Sequence, residues 1–565
     1  MNMLRRKFFA AAVLYSLILP VTAFAHTPDT EIYEAPQEVI EKIKAEGMGD
    51  NSQVMDTLSY LVDVIGGRLT NSPAMMRANE WTRDKMTEWG MKNAKLEAWG
   101  PWGRGWSLED FSAVVVEPQN FPVIAYPKAW SPSTKGEVTG PVIHMKVETE
   151  ADLAKYKGKL KDAIVLVGNP RDMKPDFDGM GRRFSDSQLL DMANAPDPAR
   201  SGQRGGFNAM PEQLKRFIEG RALQIRAMHM LIDEGAAVMV DNSSKGSGGT
   251  IFVSGASVAG DPPKTLQDLF QGSISAWDKG AEARMVPQMT MSTEHFNRLV
   301  RMIDHGKKVQ MAVNIKAQYH EEDLMGYNTV AEIPGTDPNL KDEVVMLGGH
   351  LDSWHAAGGA TDNASGCAVA MEAARIILAT GLKPRRTIRV ALWSGEEQGL
   401  NGSQEYVKQH FGEMQGGGGR FSMLMGQGSG TLVKKPDYEK FSAYYNMDNG
   451  TGKFRGVYLQ GNSAVAPIFR AWLQPFKEMG AGTLTLNNTG GTDHLSFDAI
   501  GLPGFQFIQD PIEYSPLTHH SNQDNYDRLI AEDLKHNATI MAAFVYQTAM
   551  MDGKIPRKAP PGGAQ

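Results

Sequence analysis

Cysteine is nearly absent. A single thiol, Cys367, stands among 565 residues, so no internal disulfide can form and a cysteine-rich structural zinc site is excluded. Clustered positive charge is also missing. With 58 basic against 65 acidic residues, a net charge of −7 and no long run of Lys or Arg, the chain lacks the basic face of a nucleic-acid binder. Past the first 25 residues no apolar run approaches the roughly 20 residues that span a bilayer. No internal repeat is visible. No Gly-x-Ser-x-Gly elbow of a serine hydrolase occurs. The pair His320-Glu321 is followed by Leu324 where a single-zinc endopeptidase needs a second histidine. The glycine clusters at 416–419 and 426–430 are not followed by Gly-Lys-Ser/Thr, which rules out a phosphate-cradling loop and leaves a flexible insertion.

What is present is an ordinary globular composition, 41% hydrophobic and 22% charged, on a chain long enough for more than one domain at roughly 150 residues each. Arg5, Arg6 and Lys7 precede the apolar stretch from Phe8 to Leu19, and Ala23-Phe24-Ala25 supplies small residues for cleavage, so 1–25 is expected to be a signal peptide. Its removal leaves 55 basic against 65 acidic residues and a net charge of −10. The expected destination is the periplasm or the medium, with no membrane span in the mature chain.

Apolar residues at helical spacing from Met55 to Ile65, a Gly66-Gly67 stop and a second helical stretch near 74–89 open the body of the chain. From about 111 to 316 short apolar runs such as Ala163–Val167 and Ala237–Val240, bounded by Gly, Pro, Asp or Asn, indicate strands. Within that region 172–216 is polar and is expected as a weakly ordered surface excursion. After 316, strands and helices alternate, the signature of an α/β sheet with mostly parallel strands. The expected organisation is therefore 26–115 and 317–552 as two parts of one domain, 116–316 inserted between them, and a disordered tail at 553–565.

Chemistry-bearing residues gather at predicted strand ends. The strand from Glu343 runs into His350-Leu351-Asp352, where residues two apart share a side. Asp362 follows ahead of a helix, a common place for a capping Asp. Glu396 and Glu397 stand at the end of the strand 387–393, Asp448 after Tyr444–Met447, and His519, His520 and Asp524 in the loop after 502–508. Each alone fits a turn or a cap. Together they occupy the carboxyl edge of a parallel sheet, where α/β proteins bind ligands. Two imidazoles with several carboxylates suit two divalent ions such as zinc, one carboxylate bridging and a water held between them. Cys367 sits in an apolar helix and is read as core filling.

In order and spacing, His350-x-Asp352, Gly-Ala-x-Asp362, Glu396-Glu397-Gln-Gly, Asn-Met-Asp448 and His520-Ser-x-x-Asp524 resemble the co-catalytic dizinc exopeptidases of the aminopeptidase and carboxypeptidase Q type. The likeness covers nearly all of 340–535, and the run from Lys157 to Val167 resembles a protease-associated domain. The resemblance implies a mixed, mostly parallel sheet flanked by helices with an inserted β-rich domain. It implies two Zn2+ per chain held by His350, Asp362, Glu397, Asp448 and His520, with Asp362 bridging and His350 and Asp448 on opposite metals. His520 is preferred to His519 because it stands four before Asp524. Glu396 is implied as general base and Asp352 as the group behind His350 that fixes its tautomer, while Asp493 and His494 match a further motif and support the site. The function implied is an exported exopeptidase acting on short peptides, foremost an aminopeptidase, with a carboxypeptidase Q-like dipeptidase as the alternative. A glutaminyl cyclase and a receptor-like binding protein are the remaining rivals, and a homodimer is compatible with the pattern.

Overall fold

The run Val344-Val345-Met346-Leu347 is apolar without alternation, a pattern that suits a strand covered on both faces. In the computed structural model, which describes residues 32–175, 177, 179–198, 211–269, 274–416 and 430–558, the strand Val344–His350 is buried along its whole length. Segment 1–25, the glycine-rich stretch 417–429 and the tail 559–565 lie outside the described residues. Four parallel strands form the centre of an eight-stranded mixed sheet: Thr387–Trp393, Val344–His350, Phe441–Asn446 and Gly504–Gln509. Gly326–Ile333 and then Lys92–Trp99 add antiparallel on one side. On the other side Phe454–Tyr458 runs antiparallel to Gly504–Gln509, and Thr483–Thr485 closes the sheet.

Side chains alternate across this sheet, as the two-residue period requires. Val345 and Leu347 pack with the helices Ser365–Ala379 and Ala531–Met550, while Val344 and Met346 pack with Tyr406, Val407 and Phe497 on the opposite face. The first helix is buried from Ser365 through Ile377, and its small residues let it lie close to the strands. At Gly366 a side chain would run into the Met447 carbonyl, so helix and Asp448 loop meet at a distance that only glycine permits. Cys367 fills this core. Burial pushes its thiol up to about 12, and its Sγ donates to the His350 carbonyl at 3.0 Å, a setting in which a thiol is unreactive.

A second eight-stranded sheet lies between the two parts of the first in sequence. Its order is Phe121–Pro122, Gly105–Glu117, Gln310–His320, Val138–Met145, Ile164–Val167, Val238–Asn242, Gln288–Met291, Ala125–Pro127. It takes in 105–320, whereas the sequence pattern put the boundaries at 116 and 316. The difference arises because Gly105–Glu117 and Gln310–His320 are long antiparallel partners whose exposed halves carry polar residues. Among the described residues no helix is long and apolar enough to cross a membrane.

Parts of the two stretches expected to lack firm order are held in place. Within 172–216, Asp186–Ala193 is a helix: the Ser185 hydroxyl accepts from the Gln188 amide at 3.3 Å while the Gln188 side chain accepts from the Ser185 amide at 3.0 Å, a reciprocal cap that composition hides. At the tail, residues 553–558 are held. Ile555 is buried, the Arg557 guanidinium donates to the carbonyls of Tyr438 and Phe441 at 2.8 and 2.9 Å, and Lys558 Nζ donates to the Gln460 carbonyl at 2.8 Å.

The core also carries an acid-sensitive element. His536, on the helix Ala531–Met550, is buried, and burial holds its imidazole down at about 4. The unfolded chain protonates this group near 6.5 while the folded chain keeps it neutral, so its effect is a stability loss that grows as pH falls from about 6.5 towards 4. His536→Gln is expected to remove about 2–3 kcal/mol of the difference between pH 7 and pH 4.5, read from urea denaturation at both values. An unchanged difference would count against the assignment.

Candidate metal centre

The carboxyl ends of the four parallel strands deliver the site. His350 is the last residue of its strand, Glu396 and Glu397 follow Trp393, Asp448 follows Asn446, and the loop after Gln509 brings His519 and His520. Asp362 comes from the turn that opens the helix Ser365–Ala379, entered through Gly359 at φ +61, a left-handed position that favours glycine.

Asp362 lies between two groups. Its Oδ1 is 3.3 Å from His350 Nε2, and its Oδ2 is 3.4 Å from His520 Nε2. Asp448 Oδ1 stands 3.4 Å from His350 Nε2, and Glu397 Oε2 stands 2.9 Å from His520 Nε2. The sequence reading set His350 and Asp448 on opposite metals. The structure puts them on the same side, because the Asp448 loop emerges from the strand beside Val344–His350. His519 is farther off, its Nε2 4.0 Å from Asp362 Oδ2, and its ring stacks on that of His520. The His350 side chain is 1% exposed and that of His520 35%, so the centre is closed at His350 and open towards His520.

The supports are mainly loops. The Asp524 carboxylate accepts from the amides of Thr361 and Asp362 at 2.7 and 3.0 Å and so aims Asp362. The Asp352 carboxylate accepts from the amides of Glu396 and Glu397, both at 3.2 Å, and from the Thr70 hydroxyl at 3.0 Å. It was expected to fix the tautomer of His350 directly. His350 Nδ1 contacts the main-chain carbonyl of Asp352 at 3.0 Å, and the Asp352 carboxylate stands 3.7 Å from the same nitrogen. A carbonyl only accepts, so Nδ1 carries the proton and the Nε2 lone pair is left for the cluster.

The electrostatics call for a cation. Glu396 and Glu397 are held well above the usual carboxylate range, first by burial and then by Asp448 and Asp493 for Glu396 and by Asp362 for Glu397. Burial opposes charge on His350, yet the carboxylates of Asp448 and Glu396 outweigh it and raise its imidazole well above 6.5. A proton on His350 thus compensates part of an excess of negative charge. His350 Nε2, Asp362 Oδ2 and Glu397 Oε1 are buried without a hydrogen-bond partner. Buried polar atoms are normally satisfied, and all three belong to residues that each offer a donor atom close enough to the others to share an ion. Among the described residues two sets of donor atoms lie close enough to hold one, His350 with Asp362 and Glu397, and Asp362 with His519 and His520. A donor set of imidazole and carboxylate without thiolate fits zinc.

Glu396 is distinct from its neighbour. Its nearest approach to an imidazole is 3.9 Å, to His350 Nε2, so it stands at the cluster without joining the histidine–carboxylate pairs. Asp493 is fully buried behind, pushed up to about 7 by burial, with Asp448 and Asp352 adding and His350 opposing. His494 faces away, its Nε2 near the Gln460 amide and the Thr489 carbonyl. Sequence reasoning missed Thr70, Lys245 and Tyr514, whose hydroxyl donates to Asp448 Oδ1 at 3.4 Å. Only the aromatic at 514, shortly before the paired histidines, offered a signal.

Residues 328–417 and 424–545 match the profile of Peptidase family M28. Carboxypeptidase Q of Mus musculus is 27% identical over 319 residues, 52% of this chain and 62% of that protein. The match therefore spans less than two thirds of the mouse relative. Carboxypeptidase Q of Bos taurus is 26% identical over 505 residues, 89% of this chain and 86% of that protein. Among solved structures, the peptidase M28 precursor from Shewanella amazonensis SB2B shares the fold, with a TM-score of 0.59 over 93% of this chain and 99% of that one at 21% identity. The stretch matched by the family profile carries His350, Asp362, Glu396, Glu397, Asp448 and His520 together, so the part of the chain that holds the site is similar to peptidase family M28.

Proposed function

We propose that the protein is an exported zinc exopeptidase that releases the N-terminal residue of short peptides. Two ions would be held by His350 with Asp448, by His520 with Glu397, and by Asp362 between them. The observation that carries this reading is Asp362, buried, with one oxygen towards each histidine and Oδ2 lacking a hydrogen-bond partner. Bound zinc supplies Lewis acidity towards a peptide carbonyl and a more acidic water. The chain supplies the rest. Glu396 takes the proton of the attacking water as the new C–O bond forms, and gives it to the amine nitrogen as the C–N bond breaks. Asp352 holds the Glu396 and Glu397 amides, so one carboxylate sets both the proton carrier and a ligand. Export is supported by the pattern of 1–25, and the second sheet is read as a protease-associated domain that narrows the cleft.

The test is mass spectrometry of a peptide mixture containing N-blocked, C-amidated and dipeptide members, incubated with the protein with and without a chelator. Chelator-sensitive loss of single N-terminal residues, sparing N-blocked members, is expected. No cleavage by protein shown to contain zinc would overturn the reading in favour of a cyclase or a binding protein.

A further inference from the structure

The second sheet reaches the metal centre through one loop. Val253 N donates to the His520 carbonyl at 3.0 Å, Phe252 bridges to Ser521, and Ile251 and Asn522 exchange hydrogen bonds, Ile251 N to Asn522 Oδ1 at 2.8 Å and Asn522 N to the Ile251 carbonyl at 3.1 Å. Lys245 stands on the same loop. Its ammonium lies 4.2 Å over the Phe252 ring and donates to the Ser515 carbonyl at 2.8 Å. Ser515 is next to Tyr514, whose hydroxyl contacts Asp448.

An ammonium has three donors, and one of these is given to Ser515. Among the described residues no carboxylate forms an ion pair with Lys245. Its bond to Ser515, beside Tyr514, and the seating of its loop on His520 and Asn522 put it at the open, His520 side of the centre. Arg68, also close, is not available: it is buried and its guanidinium donates to the carbonyls of Leu351, Gly358 and Gly359. Among the described residues, Lys245 thus offers a half-buried cation with spare donors at the mouth of an acid-rich centre, an arrangement complementary to a carboxylate.

We propose that Lys245, carried by the second sheet, binds the free C-terminal carboxylate of the substrate and is a specificity-determining residue of the site. The proposal rests on the exopeptidase reading. A residue of extended chain advances about 3.5 Å, so a fixed cation selects peptides whose carboxylate lies close behind the cleaved bond and disfavours longer ones. The inserted domain then acts on substrate length by supplying a charge, beyond any narrowing of the cleft.

The experiment compares kcat/KM for a dipeptide and its C-amidated twin, using the full zinc-containing chain, Lys245→Met and Lys245→Arg, with zinc content measured for each. The wild type is expected to favour the free carboxylate by at least about 10-fold. Lys245→Met is expected to lower kcat/KM on the free dipeptide by about 10- to 100-fold, mainly through KM, with less than about 3-fold change on the amide, and Lys245→Arg to restore most of the loss. If Lys245 only anchors the loop, both substrates fall together and their ratio stays, which would overturn the proposal, as would a wild type indifferent to amidation. Absence of any hydrolysis by zinc-containing wild type would instead overturn the exopeptidase reading, and this proposal with it.

Discussion

Glu396→Gln is expected to lower kcat by about 10²- to 10⁴-fold, the range for loss of a general base, while zinc content stays at the wild-type value. The two halves of this result have separate structural causes. The amide is isosteric with the carboxylate, and the main-chain hydrogen bond from residue 396 to Asp352 does not depend on the side chain, so the positions of Glu397 and His350 are kept. The proton acceptor alone is removed. Burial, with Asp448, Asp493 and Glu397 adding, holds Glu396 above the usual carboxylate range in the free chain, and bound cations would bring it down to where it accepts a proton at neutral pH. Zinc analysis beside steady-state kinetics checks both halves. Turnover within a few-fold of wild type would remove Glu396 from the reaction, and loss of zinc would make it a ligand.

Asp362→Asn is expected to abolish hydrolysis and to lower zinc content at least about 10-fold, because the side chain common to both histidine–carboxylate pairs loses its charge. The fold should survive. Asp524 grips residue 362 through main-chain amides, and these remain. In the metal-free chain the substitution relieves Glu397, for which Asp362 is the strongest charged neighbour, but also removes the carboxylate charge that His350 and His520 stabilise, so the metal-free variant should melt at or below metal-free wild type. Zinc at 100 times its Kd stabilises a binding chain by about 2.7 kcal/mol, and the variant should lack that increment. Thermal melts with and without zinc measure both. A variant that keeps two zinc ions would show that Asp362 does not join them.

His350, Glu396, Glu397 and Asp448 were legible as candidates because each sits within a few residues of a strand end, and strand ends are legible from apolar runs such as Val344–Leu347 and Thr387–Trp393; Asp362 and His520 lie deeper in their loops and were singled out through the resemblance. The sequence did not carry the pairing between them. That His350 faces Asp448 follows from which strands are neighbours in the sheet, a long-range fact without a local signature. That Asp352 also holds the amides of Glu396 and Glu397 has no local signature for a similar reason, since those amides belong to a different strand's exit. Thr70 and Lys245 are ordinary polar residues in loops, and only tertiary docking gives them a purpose. The helix Asp186–Ala193 and the held residues 553–558 were hidden by polar or proline-rich composition, which reports average burial and says nothing of a cap or a few anchoring hydrogen bonds.

The pairing of Phe252 with Ser521 links zinc affinity to a docking equilibrium. His520 is exposed on one side, has φ +59, and is fastened from the other sheet by Val253. If only a fraction of molecules has this loop seated, the measured Kd for an ion at His520 is the intrinsic value divided by that fraction. By reciprocity, bound zinc raises the seated population by the same factor. Substitutions in the second sheet, far from every ligand, would then register as weaker metal binding, and zinc would register as slower hydrogen exchange at Ile251 and Val253.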